Sequence, residues 1–283
     1  MESPRSLPTL PIRDKDTPGA NFLYHTVPGR ALLGILVRPS ISRLGGWLLD
    51  RRVSRFLVAP FIRSAAIPME DYQQTVYRSF NDFFTRQVRP GLRPMPGKSG
   101  ILAAPCDGKL TAYRIGSNSV FRIKHSDYRL EELLEDKDLA EEFRGGTCLI
   151  FRLTPDDYHR YAFPDHGRIA ATRKIPGVLH TVRPIAFDRY PVYLRNAREY
   201  AVLDTAHFGK VIQMEVGALF VGRILNHPLS QPFRQGQEKG MFQFGGSTVV
   251  LLLKKDAAQI HPVFFENTQN NLETKVKMGY PLE

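Results

Sequence analysis

The chain has 283 residues, enough for one large domain with a smaller appendage, and its 42% hydrophobic and 24% charged residues are ordinary for a globular protein. Its two cysteines, Cys106 and Cys148, exclude a disulfide framework and fit no metal-ligand spacing, which indicates a reducing compartment. The net charge of +11 predicts an anionic partner, either a nucleic acid or an anionic membrane.

The first third of the chain is both basic and apolar. Residues 1–20 are polar and contain several prolines, which predicts a flexible N-terminus, and residues 21–97 read as a basic helical region. Residues 1–100 hold 15 Lys and Arg against 7 Asp and Glu. Apolar and basic residues alternate there at helical spacing, notably at Trp47, Arg51, Arg52, Arg55 and Phe56. This pattern favours helices that bind a membrane surface, although helices packed on the main domain with a solvated basic face would also show it.

Membrane association is expected to be peripheral. No run of 18 apolar residues exists, so no transmembrane helix is expected, and the N-terminus lacks the apolar core of a signal peptide. We therefore expect the protein on the cytoplasmic face of the cell membrane. A nucleic-acid partner is not expected, because no recognition motif accompanies the charge.

The pattern changes after a proline-rich linker, and we place the domain boundary near residue 98. A helix is predicted over 71–86 before it and another over 129–143 beyond it. Apolar runs bounded by turn residues predict strands at 101–104, 109–115, 148–153, 167–174, 200–204, 210–216 and 248–253. The sequence thus predicts an α+β fold: an antiparallel β-sandwich or barrel-like catalytic body over 98–283, preceded by an amphipathic helical membrane-binding region.

Three short segments carry candidate chemistry. Gly246-Ser247 follows another glycine and precedes an apolar strand, and such glycines let a backbone adopt conformations that a Cβ would forbid. Asp107 lies in an Asp-Gly turn, and His159 follows a strand among polar neighbours. Each segment alone is more often structural, as a turn or a satisfied histidine. Together they offer a nucleophile, a base and an orienting carboxylate.

The order and spacing of several motifs resemble the phosphatidylserine decarboxylase family from about residue 70 to the end. The matching stretches are 80–86, 105–108, 153–160, 208–210, 216–218 with 221–222, and 238–240 leading to 244–248. The resemblance implies self-cleavage between Gly246 and Ser247, which gives a β chain of residues 1–246 and an α chain of 247–283. Ser247 would become a pyruvoyl group, with no metal and no pyridoxal phosphate. This group would form a Schiff base with phosphatidylserine and release phosphatidylethanolamine and CO₂.

The resemblance also implies roles for individual residues. Asp107 and His159 would activate Ser247, with the histidine as base and the aspartate as its orienter, and His159 would later give the substrate a proton. Many family members read Tyr-His-Arg-x-His-x-Pro here, whereas Ala162 replaces the second histidine in this chain. His159 would then serve both steps, or His180 or His166 would supply the base.

The partners implied are phosphatidylserine, anionic membrane lipids and the two chains of one proenzyme, and a homodimer is left open. Two alternatives remain at this stage. One is a pyruvoyl decarboxylase of another serine-headed lipid or of an amino acid. The other is a peripheral membrane-binding protein that is never cleaved.

Overall fold

Short helices form most of the N-terminal third. The computed structural model describes residues 3–12, 17–123, 126–219, 223–228, 231–243 and 247–283. Thr17 and Thr26 cap the first two helices by accepting hydrogen bonds from the backbone nitrogens of Ala20 and Gly29, and each of these helices has a proline in its first turn. The α-helices of this third are α1 (Pro18–His25), α2 (Val27–Leu36), α3 (Pro39–Leu49), α4 (Val58–Ala65) and α5 (Phe80–Phe84), with 3₁₀ turns at Pro4–Ser6, Arg52–Leu57 and Met69–Asp71.

The rest of the chain is dominated by strands. They are β1 (Thr9–Pro11), β2 (Gly108–Arg114), β3 (Val120–Ile123), β4 (Ser126–Arg129), β5 (Thr147–Leu153), β6 (Arg160–Ala162), β7 (Gly167–Ile175), β8 (Arg198–Thr205), β9 (Gly209–Val216), β10 (Ile224–Asn226), β11 (Glu238–Phe242), β12 (Ser247–Leu253) and β13 (Leu272–Val276). The helices among them are α6 (Leu130–Leu134), α7 (Lys137–Glu141), α8 (Pro184–Phe187), α9 (Val192–Arg195) and α10 (Pro262–Gln269).

Eight strands form one antiparallel sheet in the order β1-β13-β2-β5-β12-β9-β8-β7. Along the central strand β12, side chains alternate between the two faces. Val249 and Leu251 pack with Tyr161 and Phe242 of a three-stranded sheet, β10-β11-β6. Val250 packs on the other face with helical residues. The predicted antiparallel body is confirmed as part of a mixed α/β fold, but the sheet is open and does not close into a barrel.

The predicted helix over 71–86 is wrong in extent, because only α5 is helical. Ser79 is extended and its hydroxyl accepts from the Asp82 nitrogen, so the helix begins at Phe80. The segment before it pairs with the linker instead, through a bridge between Tyr72 and Val88. Serine at an N-cap therefore fixed the start of this helix more strongly than the preceding apolar spacing.

Two further expectations need correction in the same way. The helix predicted over 129–143 is split into α6 and α7 by Glu135, whose φ of 50° is left-handed, and Asp136 caps the second piece. The strand predicted over 101–104 is reduced to one bridge between Ala103 and Pro281. The spacing of apolar residues indicates neither the left-handed residue in the first segment nor the lack of a strand partner over most of the second.

The N-terminal region packs on the sheet. Within the described part of residues 1–20, β1 pairs with β13 and forms the edge of the large sheet, so this segment is more ordered than predicted. Tyr24, Leu33 and Val37 are buried in the core on the helical face, and the Leu179 nitrogen donates to the Val37 carbonyl at 2.9 Å. The apolar face of α1 and α2 therefore covers the sheet.

Other apolar side chains of this region face outward. Trp47 is 52% exposed and Phe56 is 76% exposed, and Val27, Leu44 and Val53 are exposed as well. Among the described residues, no single helix has the length and apolar character to span a membrane; α2 and α3, bent by 69°, meet that test only as a pair.

Candidate active site

The predicted residues lie where neighbouring strands of the large sheet begin or end. Ser247 begins β12 and pairs with Leu153, the last residue of β5. Gly108 begins β2 on the other side of β5, and Val216 ends β9 opposite Thr248. Because antiparallel neighbours run in opposite directions, these starts and ends lie side by side at one end of the strands. We call this end of the sheet, which is not an edge strand, the Ser247 edge.

Ser247 is fully buried, and its Oγ has no hydrogen-bond partner among the described residues. It lies two residues before Val249, so its side chain projects to the face covered by the small sheet. An unsatisfied buried hydroxyl costs about 1–3 kcal/mol, and such exceptions in a native core call for a functional explanation. Gly246, on the other side of the predicted scissile bond, lies outside the described residues.

His159 lies just before β6 on the same side of the sheet as Ser247. Its carbonyl accepts from the Phe242 nitrogen at 2.9 Å, and its ring Nδ1 is 2.9 Å from the Asp157 carbonyl oxygen. A carbonyl can only accept, so Nδ1 carries the proton and Nε2 presents a lone pair. The Nε2 atom is buried and has no partner among the described residues.

The surroundings of His159 favour its neutral form. Burial, with the Arg86 charge as a second cause, lowers the pKa of His159 to about 3. The ring also packs on Phe84, with 4.1 Å between ring centroids. At neutral pH the imidazole is therefore neutral, and its Nε2 lone pair is unprotonated.

Asp107 lies at the Ser247 edge but does not orient His159 in this structure. Its carboxylate makes a bidentate pair with Arg93, at 2.7 Å to Nε and 2.6 Å to Nη2, and accepts from the Met278 nitrogen at 2.8 Å. No hydrogen bond joins it to His159 in the described part of the chain. The predicted orienting role is thus filled by the Asp157 carbonyl, and the catalytic role of Asp107 stays a prediction.

A buried ion pair fixes the turn that carries the Asp157 carbonyl. Lys109 Nζ lies 3.0 Å from Asp157 Oδ2 and also donates to the Thr154 hydroxyl. The Thr154 nitrogen donates to the same carboxylate at 2.7 Å. These bonds fix the conformation of the turn between β5 and β6. The Asp157 carbonyl that binds His159 Nδ1 is therefore held in place.

The two alternative bases differ in position. His180 lies near the Ser247 edge, but its ring stacks on Tyr190 at 4.1 Å and sits by Tyr24, in the core of the opposite face. Burial lowers the pKa of His180 to about 4. His166 is exposed and precedes Gly167, which pairs with Thr205 at the far end of β8. The register of the strands therefore places His166 and Ser247 at opposite ends of the strands. His166 does not lie at the Ser247 edge.

The residues predicted to bind membranes lie on the surface beside this edge. Arg51 stacks on the Trp47 ring with 4.2 Å to the centroid, and Arg52, Arg55 and Phe56 are exposed. The 3₁₀ turn that holds these arginines is tied to α5, which carries Phe84: its Ser54 hydroxyl accepts from the Phe80 nitrogen at 2.9 Å. The 3₁₀ turn that carries the exposed arginines and the His159 ring thus both contact α5.

A cavity of about 400 Å³ opens between the same elements. Its lining includes Arg52, Arg78, Asn81 and Thr85, together with Gln243, the last described residue before Ser247. Asp50 and Asp82 line it as well, so the two arginines are balanced by two carboxylates. Gln243 lies four residues before Ser247, which places the cavity next to the predicted cleavage site along the chain.

Sequence reasoning missed several residues that shape the site. Arg93 was part of an apparent linker, Lys109 one residue of a strand, and Asp157 a polar neighbour of His159. Phe84 and Arg86 belonged to the matching stretch over 80–86 but had no assigned role. That stretch and the Arg-Pro pairs of the linker were the available signals.

Comparison with known proteins bears directly on this geometry. The phosphatidylserine decarboxylase family profile matches residues 80–282. The chain belongs to this family. It is 46% identical to phosphatidylserine decarboxylase proenzyme 2 of Clostridium acetobutylicum over 91% of this chain and 89% of that protein. Phosphatidylserine decarboxylase proenzymes of Clostridium perfringens and Ruminiclostridium cellulolyticum are 39% and 40% identical, each over 92% of this chain and 90% and 88% of theirs.

Membership of the phosphatidylserine decarboxylase family confirms the predicted class, a decarboxylase made as a proenzyme. A family of self-processing proenzymes implies a pyruvoyl group, and the residues here fit one. Among the described residues, the buried Ser247 hydroxyl has no competing hydrogen bond, and His159 Nε2 on the same face has no partner. Within the described residues no His, Cys, Asp or Glu cluster could hold a metal ion.

Proposed function

We propose that this chain cleaves itself between Gly246 and Ser247 and then decarboxylates phosphatidylserine to phosphatidylethanolamine at a membrane surface. The observation that carries the proposal is that two buried atoms at the Ser247 edge, Ser247 Oγ and His159 Nε2, have no hydrogen-bond partner in the part of the chain that the structure describes. In a chain of this family, a hydroxyl and a neutral imidazole left free in the core are the expected nucleophile and base.

Self-cleavage follows from these two groups. His159 Nε2 takes the proton of the Ser247 hydroxyl as Oγ attacks the Gly246 carbonyl carbon. The C–N bond between the two residues breaks as an ester forms, and the proton passes to the leaving amine. Elimination removes the Cα proton of residue 247 and releases the Gly246 carboxylate, which leaves a dehydroalanine at the start of the α chain. The dehydroalanine rearranges to an imine, and water hydrolyses the imine to the pyruvoyl ketone and ammonia. Asp107 supports the site by holding Arg93 and the Met278 nitrogen of the future α chain.

The decarboxylation uses the same pocket. The pyruvoyl group supplies an electron-withdrawing carbonyl for the amine of the substrate. The chain's own residues orient that substrate, exclude water and move protons. His159 Nε2 is placed to receive a proton and pass it directly to the carbon that loses CO₂, because Nδ1 is committed to the Asp157 carbonyl.

The substrate class follows from the surface next to the site. Exposed Arg51, Arg52 and Arg55 can meet lipid phosphates, while exposed Trp47 and Phe56 enter the lipid interface. We propose peripheral binding to anionic lipid on the cytoplasmic face of the cell membrane. An amino acid or another soluble substrate would have no use for this apolar surface.

Mass spectrometry of the purified protein tests the proposal. We expect a fragment that begins at residue 247 with a pyruvoyl group, and CO₂ release from phosphatidylserine vesicles but not from free serine. A single intact chain of 32.2 kDa, without CO₂ release, would favour the uncleaved membrane-binding alternative. Release from free serine at the same rate would favour the amino-acid decarboxylase.

Replacement of the exposed apolar residues tests the membrane contact. The double variant Trp47→Ala/Phe56→Ser should sediment poorly with anionic vesicles yet still cleave itself, because neither side chain reaches the core. Leu10→Ser is the matched control, since Leu10 is also exposed, at 40%, but lies on the edge strand β1. Equal vesicle binding by the double variant and the control would contradict the assignment.

A further inference from the structure

A buried ion pair that the proposed mechanism does not use lies between the two sheets. Lys239 on β11 places its Nζ 2.6 Å from Glu215 Oε2 on β9, and the two side chains are 2% and 0% exposed. Glu215 Oε1 makes no hydrogen bond within the described residues. A buried carboxylate oxygen without a partner carries a desolvation cost, so the arrangement requires a reason beyond packing.

Glu215 faces the same side of the sheet as Ser247. Val249 pairs with Glu215 across β12 and β9, and directly opposed residues project to one face. Ser247 is two residues before Val249 and projects to that face as well. Diagonal neighbours of this kind lie about 7–8 Å apart, so Glu215 is one diagonal step from the predicted reaction centre.

The ion pair is also connected to solvent. Lys239 lines a surface cavity of about 340 Å³, together with Asn226, Glu199 and the cationic residues Arg173 and Lys174. Asn226 Oδ1 accepts from Lys239 Nζ at 2.9 Å, which holds the ammonium between the cavity and Glu215. Asn226, Lys239 and Glu215 thus form a continuous series of polar contacts from the cavity to the interior.

The other titratable groups facing this pair come from three strands. Glu199 on β8 lies 3.2 Å from Asn226 Nδ2, and the Tyr161 hydroxyl on β6 lies 3.2 Å from Asn226 Oδ1. His227, at the cavity, pairs with Glu238 of β11 at 2.6 Å. Burial raises the pKa of Glu215 above its usual range, which favours a carboxyl that can carry a proton.

The proposed reaction consumes a proton. The bond from the α-carbon to the carboxylate breaks, CO₂ leaves, and the electron pair left on carbon must take up one proton. We propose that Lys239 and Glu215 form a relay that carries this proton from the surface cavity to the reaction centre, with Asn226 as a positioning residue. Glu215 passes its proton to the reaction centre and returns to the carboxylate after the Lys239 ammonium has protonated it. The Lys239 amine then takes up a proton from hydronium or a buffer acid in the cavity, which restores the ion pair. This inference rests on the proposed function.

Glu215→Gln tests the relay, because it keeps the shape of the side chain and removes its acid function. We expect cleavage before Ser247 to proceed, and turnover to fall roughly 10²-fold, the lower end of effects for acid–base groups. The residual rate should rise with the concentration of imidazole buffer at fixed pH, because a small acid in the cavity can replace the relay. Its pH profile should also fall more steeply above pH 7 than that of the unaltered chain.

Glu273→Gln is the matched control. Glu273 is also in a buried pair, with Arg152 at 2.8 Å and both side chains 5% exposed. Arg152 pairs with Thr248, so this pair lies on the face opposite Ser247. Loss of a buried charge there should lower stability without buffer-dependent turnover.

The outcomes separate the relay from the function on which it rests. Absence of cleavage and CO₂ release in the unaltered chain would overturn the proposed function itself. If the unaltered chain turns over, the relay is overturned by a Glu215→Gln rate equal to it, or by a loss that buffer does not rescue. Should Glu215→Gln fail to fold, Asn226→Ala leaves the ion pair in place and must show the same buffer-dependent loss of turnover.

Discussion

The low pKa of His159 predicts that self-cleavage is nearly independent of pH in mild acid. With a pKa of about 3, the imidazole is about 99% neutral at pH 5 as at pH 7.5. A histidine with the ordinary pKa near 6.5 would be only about 3% neutral at pH 5, and the cleavage rate would fall about 30-fold. The two cases therefore differ by more than an order of magnitude in one measurable rate.

The assay starts from freshly synthesised, uncleaved chain. Protein made in a cell-free reaction is moved within seconds into buffers at pH 5.0, 6.0 and 7.5, and appearance of the C-terminal fragment is followed on denaturing gels. We expect rates within twofold of one another. A drop of tenfold or more at pH 5 would refute the reasoning, provided the Ser247→Ala chain keeps its near-ultraviolet circular dichroism there, because only folded protein reports on the buried imidazole.

Three other predictions concern the same site. His159→Ala should abolish cleavage and leave one species of 32.2 kDa on a denaturing gel; a fully cleaved His159→Ala chain would refute the single-histidine mechanism. Arg93→Ala in a Ser247→Ala background leaves the buried Asp107 carboxylate without its cation, so the free energy of unfolding in urea should fall by about 3–5 kcal/mol. Leu92→Ala is the control, and equal losses in both would contradict the role of the ion pair. His159 and His180 both have a lower pKa folded than unfolded, so stability is present above pH 6.5 and is lost as pH falls; between pH 7.5 and pH 5 each should remove about 2 kcal/mol. An unchanged urea midpoint over that range would refute the burial of the two rings.

The central strands could be predicted from the sequence because they are buried on both faces. β5 and β12 each contain a run of at least four apolar residues, all of their residues are buried, and their predicted bounds agree with the structure to within one residue. The strands β6 and β10 are three residues each and have no pattern long enough to recognise. Together with β11 they form the small sheet that covers Ser247. The burial of Ser247 therefore could not be predicted from local periodicity.

The candidate residues were easier to predict than their contacts. Ser247 and Asp107 stand at strand starts beside one end of β5, as turn-adjacent residues of antiparallel neighbours must. The partner of Asp107 is Arg93 from the preceding linker, and the orienter of His159 is a main-chain carbonyl. Neither the Arg93 pairing nor a main-chain acceptor two residues from the histidine leaves a spacing signal in the chain. The separation of His166 from the site likewise depends on the register of β7, β8 and β9.

The position of β12 in the middle of the sheet gives the proposed cleavage a further consequence. The strand keeps its pairing to β5 and β9 after its first peptide bond is cut, and β13 remains between β1 and β2. The two fragments would stay interleaved, since each completes the sheet of the other. Unfolding, however, would then release two molecules, and refolding would depend on their concentration. The chain would fold once as a single molecule, and the cut would make loss of that fold a one-way event in dilute solution.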